Sequence, residues 1–204
     1  MSMTISPLLK PAGQERGEEQ WQERRWTVEE FERAASAGEF DDPGQLELVQ
    51  GRILEKMPEG GRHTGLRRRL ARRLREVLEP HCFVCEECPL RIAFDGEPIP
   101  DIMFTRNEDY GDSHPTPADV ILLIEVADSS VERDLGEKAL LYAEAGITDY
   151  WVVLVSEVVI VRHRQPSAEG YQEVVRLAGL DRLSPLALPS AAWTVEALLG
   201  REQE

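Results

Sequence analysis

The segment that most constrains this chain is VILLIEVA, Val120 to Ala127, which is apolar throughout except for Glu125. A strand with no polar face must be covered on both sides, as in the centre of a sheet with helices on each surface. A sheet with one wet face would instead show alternation.

The rest of the chain supplies the covering elements. Thr27 and Glu30 form a Thr-x-x-Glu capping box for a helix to about Ala37, ended by Gly38. A longer helix is predicted from about Arg62 to Glu79, stopping before Pro80, and a third from about Arg133 to Ala145, closed by Gly146. LELVQGRILEK reads as a hairpin turning at Gln50 and Gly51, and DYWVVLV with VVIVRHR as another around Ser156 and Glu157. Further strands are predicted at about 82–86, 89–94 and 100–104, with short elements and a helix from Thr194 at the end. Strands in a run with helices before and after give an α/β fold, a mixed central β-sheet flanked by helices. The 204 residues suit one domain over 26–200. Residues 1–25 are polar and aperiodic, and are predicted to form a flexible tail.

Charge limits the partners. With 38 acidic against 23 basic side chains the formal net charge is −15, which would repel a polyphosphate from most of the surface. Contact with nucleic acid must then be local or assisted by metal. No segment approaches the roughly 18 apolar residues of a membrane span, and the N-terminus has no apolar stretch behind a positive charge, so the expectation is a cytoplasmic protein with no membrane partner.

Several ionisable residues fall where burial is predicted. Glu125 ends the apolar run, so it is either a buried carboxylate in need of a cation or a strand-end acid already in solvent. Asp101 opens Ile102, Met103 and Phe104 and could equally be a turn residue after Pro100. Two acids on neighbouring strands are the minimal equipment for Mg²⁺. Lys138 sits in the middle of the apolar arc formed by Leu135, Ala139, Leu141, Tyr142 and Ala145, although snorkelling or a pair with Asp134 would also accommodate it. His63 shares a helix side with Leu66, Leu70, Leu74 and Val77, as a core or supporting histidine would. Arg68, Arg72 and Arg75 form a stripe on the opposite side, a solvated face or one paired with acidic surface or a partner subunit.

Cys82, Cys85 and Cys88 are an odd number of thiols without a fourth ligand. Strand alternation would also send Cys85 to the face opposite Cys82 and Cys88, so half-buried strand cysteines without metal are expected.

In order along the chain, LELVQGRI, GRHTGLRRRL, PIPDIMF, ILLIEVADSS and DLGEKALLYAEAGITDYWVV resemble the Uma-two family of restriction-endonuclease-like proteins, a branch of the PD-(D/E)xK nuclease superfamily. The resemblance implies a mixed sheet flanked by helices, phosphodiester hydrolysis in DNA, Mg²⁺ with Mn²⁺ as a substitute, and leaves a homodimer open. It carries Glu47, Asp101, Glu125 and Lys138 as catalytic residues. Glu47, Asp101, Glu125 and the carbonyl of Val126 become metal ligands, with His63 supporting them. The superfamily lysine two residues after the strand acid is Ala127 here, and Lys138 takes its place. ADSS and LVS depart from the leucine-serine-proline-serine and aspartate-proline that the family often carries. The alternative function is a catalytically inactive nuclease-fold protein acting as a nucleic-acid-binding, protein-binding or regulatory module.

Overall fold

The apolar run forms the strand expected of it. It is the third strand, β5 (Val120–Ala127), of a six-stranded sheet ordered β3 (Phe83–Glu86), β4 (Ile102–Thr105), β5, β6 (Asp149–Leu154), β7 (Val159–Ser167) and β8 (Gly170–Ala178). The computed structural model describes residues 23–79, 82–106, 110–111 and 113–200. Strands β5 and β6 pair in parallel, whereas the other neighbours in the sheet are antiparallel, so the sheet is mixed. A parallel pair requires a crossover, and the helices α3 (Val131–Leu135) and α4 (Glu137–Glu144) supply it.

Period-two geometry divides β5 between two cores. Leu122, Ile124 and Val126 pack with Leu66, Leu70, Leu74 and Leu78 of α2 (Gly61–Leu78) and with Val195 and Leu198 of α5 (Val195–Leu199). Leu123 and Ala127 join Met103, Tyr150 and Val152 against Ala139, Leu141 and Tyr142 of α4. Glu125 shares the face of Leu123 and Ala127, so the pleat aims it at α4. This geometry places a carboxylate inside the molecule.

Smaller units bring further residues to that end of the sheet. The hairpin β1 (Leu46–Val49) and β2 (Arg52–Glu55) turns at Gln50 and Gly51, both with positive φ. Gly51 is obligatory there, because a Cβ would lie 2.4 Å from the side chain of Arg25. Leu48 of β1 bridges to Glu97, which ties the hairpin to the chain entering β4. The predicted capping box is present in α1 (Val28–Ser36), where Thr27 and Glu30 exchange side-chain to backbone hydrogen bonds of 3.2 Å each. A two-stranded ribbon of β9 (Arg182–Leu183) and β10 (Trp193–Thr194) precedes α5.

Several expectations are corrected. No strand forms at 89–94. Pro89 and the positive φ of Ala93 break the extended run, and the segment folds back so that Leu90 N–H donates to Pro98 and Ile92 N–H to Gly96. The helix expected over 133–145 begins at Val131 and is interrupted at Gly136, where a Cβ would lie 2.7 Å from the carbonyl of Glu132. Leu78, not Val77, completes the buried side of α2, and Val77 is exposed. Cys82 does oppose Cys85, but Cys88 packs on the side of Cys85, because the turn at Glu87, with positive φ, ends the alternation. The flexible tail predicted over 1–25 lies outside the described residues apart from 23–25. There, Arg24 pairs with Glu30 and Arg25 donates to the carbonyl of Gln50.

Candidate active site

Asp101 immediately precedes β4, and its backbone N–H points across the strand pair to Glu125 Oε2 at 3.4 Å. Glu47 of β1 arrives on the hairpin and accepts from the N–H of Ile99 at 3.3 Å, beside the strand entry. Lys138 reaches in from α4. These four side chains are buried, with relative exposures of 1% for Glu47, 3% for Asp101, 2% for Glu125 and 4% for Lys138. Together they line one cleft, with His63, Lys56, Glu59, Arg133 and Asp134.

Lys138 is the hinge of the arrangement. Its Nζ lies 2.9 Å from Glu125 Oε1 and 3.2 Å from Glu47 Oε1. Tyr142, one helical turn later on the same face, donates its hydroxyl to Glu125 Oε1 at 2.8 Å. Asp101 is held separately. Its Oδ1 accepts from Lys56 at 2.9 Å, while its Oδ2 lies 3.1 Å from His63 Nε2 and accepts the Val126 N–H at 2.7 Å. Arg133 donates to Glu47 Oε2 at 2.6 Å.

Carboxylates outnumber their cations here. Glu47, Glu59, Asp101, Glu125 and Asp134 face Lys56, Arg133 and Lys138. Burial raises the pKa of Glu125 to about 8; Lys138 opposes the shift, and the charges of Asp101, Asp134 and Glu47 add to it. For Asp101 burial also acts upward, but the His63 hydrogen bond, Lys56 and the Val126 N–H hold it well below the usual carboxylate range. Burial acts to lower the pKa of Lys138, yet Glu125, Glu47 and Asp134 raise it above the ordinary lysine value. Burial moves Glu125 and Lys138 in opposite directions, whereas the surrounding acids push both upward.

Of the residues singled out from the sequence, Glu47, His63, Asp101, Glu125 and Lys138 therefore meet in one place. Val126 contributes a backbone N–H to Asp101. Sequence reasoning missed Lys56, Glu59, Arg67, Arg133 and Tyr142. Glu59 and Arg67 stand one turn before and after His63, a spacing that could have found them; Glu59 Oε2 lies 2.8 Å from His63 Nδ1. Arg67 is buried and pairs with Glu87 at 2.9 Å. Ligand atoms of Glu59, His63 and Asp101 also lie within 4.8 Å of one another, with both ring nitrogens of His63 facing carboxylates. In the arginine stripe, Arg68 and Arg72 are exposed and Arg75 pairs with Glu86 at 3.2 Å.

Comparison with known proteins agrees with this architecture. A crystal structure of "a putative nuclease belonging to DUF820" from Anabaena variabilis ATCC 29413 superposes with a TM-score of 0.61 at 18% identity, covering 76% of this chain and 89% of that one. No curated protein sequence matches. Among the described residues no helix is long and apolar enough to cross a membrane. The Uma2 family model, described as "Putative restriction endonuclease", matches residues 28–196, a span that includes every strand of the sheet and every side chain of the cleft, and the chain belongs to that family.

Proposed function

We propose that this protein is a divalent-metal-dependent endonuclease that hydrolyses phosphodiester bonds in DNA. The observation that carries the reading is the convergence of Glu47, Asp101 and Glu125 from three different elements on one cleft, with Lys138 between two of them. The family match and the nuclease named among similar folds favour it.

The donor set fits Mg²⁺, with Mn²⁺ as a substitute, because it consists of hard carboxylate oxygens in a pocket short of positive charge. Asp101, Glu125 and Glu47, with the carbonyl of Val126, would hold the ion. When bound, the ion lowers the pKa of its water and polarises the phosphoryl oxygens.

The chain's own groups do the rest. Lys138, kept charged by its acidic neighbours, orients the attacking water and offsets charge on the phosphoryl group, and its raised pKa disfavours a role as proton acceptor. Tyr142 fixes the rotamer of Glu125, and His63 with Lys56 fixes Asp101. Arg133 and Lys56 are the cations at hand for a phosphate approaching an otherwise anionic surface.

A second reading is a catalytically inactive binding or regulatory module. It draws on the fact that Lys138 already satisfies both Glu47 and Glu125 in a closed network. Incubation with supercoiled, linear and single-stranded DNA, with Mg²⁺ or with chelator, separates the two. Metal-dependent cleavage lost in Glu125→Ala supports the enzyme, and no cleavage under any condition supports the module.

A further inference from the structure

Away from the cleft, three ligand-type side chains from separate parts of the chain meet. Glu32 comes from α1, Glu97 from the segment leading to Asp101, and His114 from the loop before β5, and one ligand atom of each lies within 4.8 Å of the others. They line a common cleft with Phe31, Pro43 and Ile99. Glu97 is 5% exposed, and its Oε2 is shut off from solvent without a hydrogen-bond partner among the described residues. A buried carboxylate oxygen with no donor is unfavourable unless a proton shared with the neighbouring Glu32 or a bound cation satisfies it. Arg91 does not fill that role. Its guanidinium lies 3.6 Å from Glu32 Oε1, and that pair is partly open to solvent.

We infer that Glu32, Glu97 and His114 form a three-residue binding site for a transition-metal ion of the Zn²⁺ type, with the fourth position left to water. An imidazole nitrogen beside two carboxylates suits Zn²⁺, whereas Mg²⁺ prefers oxygen ligands and retained waters. Ligand atoms about 2.0–2.2 Å from such an ion stand roughly 3.4 Å apart, a contraction that the half-exposed side chains of Glu32 and His114 can make. Each ligand is already anchored in its own element. Glu32 lies in a capped helix. Pro115, next to His114, accepts the Arg91 N–H at 2.9 Å, and Glu97 exchanges backbone hydrogen bonds of 2.7 and 3.2 Å with Leu48. Bound metal would clamp α1 and the His114 loop onto the segment between Glu47 and Asp101. The site stands on its own geometry, whatever chemistry the cleft performs.

Zn²⁺ titration calorimetry and thermal melts on the metal-free wild type, His114→Ala and Glu32→Gln test it, with Mg²⁺ as the parallel probe. The wild type should bind one more Zn²⁺ per chain than either variant, and its Tm should rise with Zn²⁺ by several degrees more than theirs. The response to Mg²⁺ should be the same in all three. Both variants alter half-exposed side chains, and either alone suffices if the other fails to fold. Equal Zn²⁺ stoichiometry and equal melting shifts in all three proteins would overturn the site, leaving Glu32 and Glu97 as carboxyls that share a proton. A Zn²⁺ response abolished by Asp101→Asn alone would overturn it too, by assigning all of the Zn²⁺ to the cleft.

Discussion

The ammonium nitrogen of Lys138 lies 2.9 Å from Oε1 of Glu125, a residue 13 positions earlier in the chain. The crossover itself makes this contact. Strand β5 carries the acid inward on its α4 face, and α3 and α4 return the chain over that face before β6 pairs in parallel.

Tyr142 shares Glu125 Oε1 with Lys138, and its ring packs edge-on against Tyr150 with centroids 5.1 Å apart. Tyr142→Phe keeps the ring and removes the hydroxyl donor. Denaturant unfolding of the metal-free protein should show a loss of about 0.5–1.5 kcal/mol at neutral pH, where Glu125 is largely protonated, rising towards about 1.5–3 kcal/mol where it is ionised. Unchanged stability would mean that the hydroxyl does not hold Glu125.

His163 of β7 is buried between Tyr150 and Tyr171, with ring centroids 5.1 and 5.4 Å away. Burial lowers its pKa below the ordinary histidine value, against hydrogen bonding to the backbone that acts upward. The unfolded chain therefore takes up this proton first as pH falls. The stability contributed is present above the unfolded histidine pKa and is lost as pH drops through the folded value. Tm measured from pH 7.5 downward should fall less steeply in His163→Phe than in the wild type. Parallel curves for the two proteins would show that His163 is not the group being titrated.

The cysteines should hold no metal or cluster. Cys82 is buried in the α2 core with its thiol directed at the carbonyl of Leu78, 3.1 Å away, and it lies across the sheet from Cys85 and Cys88. Elemental analysis of wild type and Cys85→Ser should give the same zinc and iron content. Stoichiometric metal that disappears in the variant would contradict the prediction.

Replacing Arg68, Arg72 and Arg75 together with glutamine should leave single-turnover cleavage nearly unchanged and weaken DNA association or alter self-association. Arg68 and Arg72 are exposed, Arg75 is tied to Glu86, and none of the three lines the cleft. A collapse of cleavage with intact DNA binding would place these arginines at the scissile phosphate instead.

Some of this was legible in the residues because it broke a rule. Glu125 interrupts a segment apolar on both faces, and Lys138 interrupts an apolar helical arc, so each required a partner and the fold supplies one to the other. Asp101 was a weaker signal, since it could equally have been a turn residue after Pro100, and Glu47 came to notice only through the family resemblance. Lys56 and Arg133 broke no rule. They are polar residues beside a turn and at a helix start, and only tertiary folding decides that they face Asp101 and Glu47. Strand β8 was not foreseen because GYQEVVRLA lies at the sheet edge and is only half covered, so its apolar pattern is diluted. The false strand at 89–94 carried suitable residues, but its backbone hydrogen bonds go to Pro98 and Gly96 within a folded-back loop.

The most direct test of the central claim is the thermal stability of wild type and Lys138→Ala, each with Mg²⁺ and with chelator. In chelator, removing the lysine strands Glu125, while Glu47 keeps only Arg133, and the variant should lose about 3–5 kcal/mol. With Mg²⁺ the carboxylates are satisfied by the ion, so the wild type should be stabilised and the variant should melt close to it while cleaving nothing. Glu125→Ala should lose the Mg²⁺ response altogether. If Lys138→Ala is equally destabilised in both conditions and Mg²⁺ does not stabilise the wild type, the cluster is a structural charge network and the nuclease reading fails, even though the fold is right.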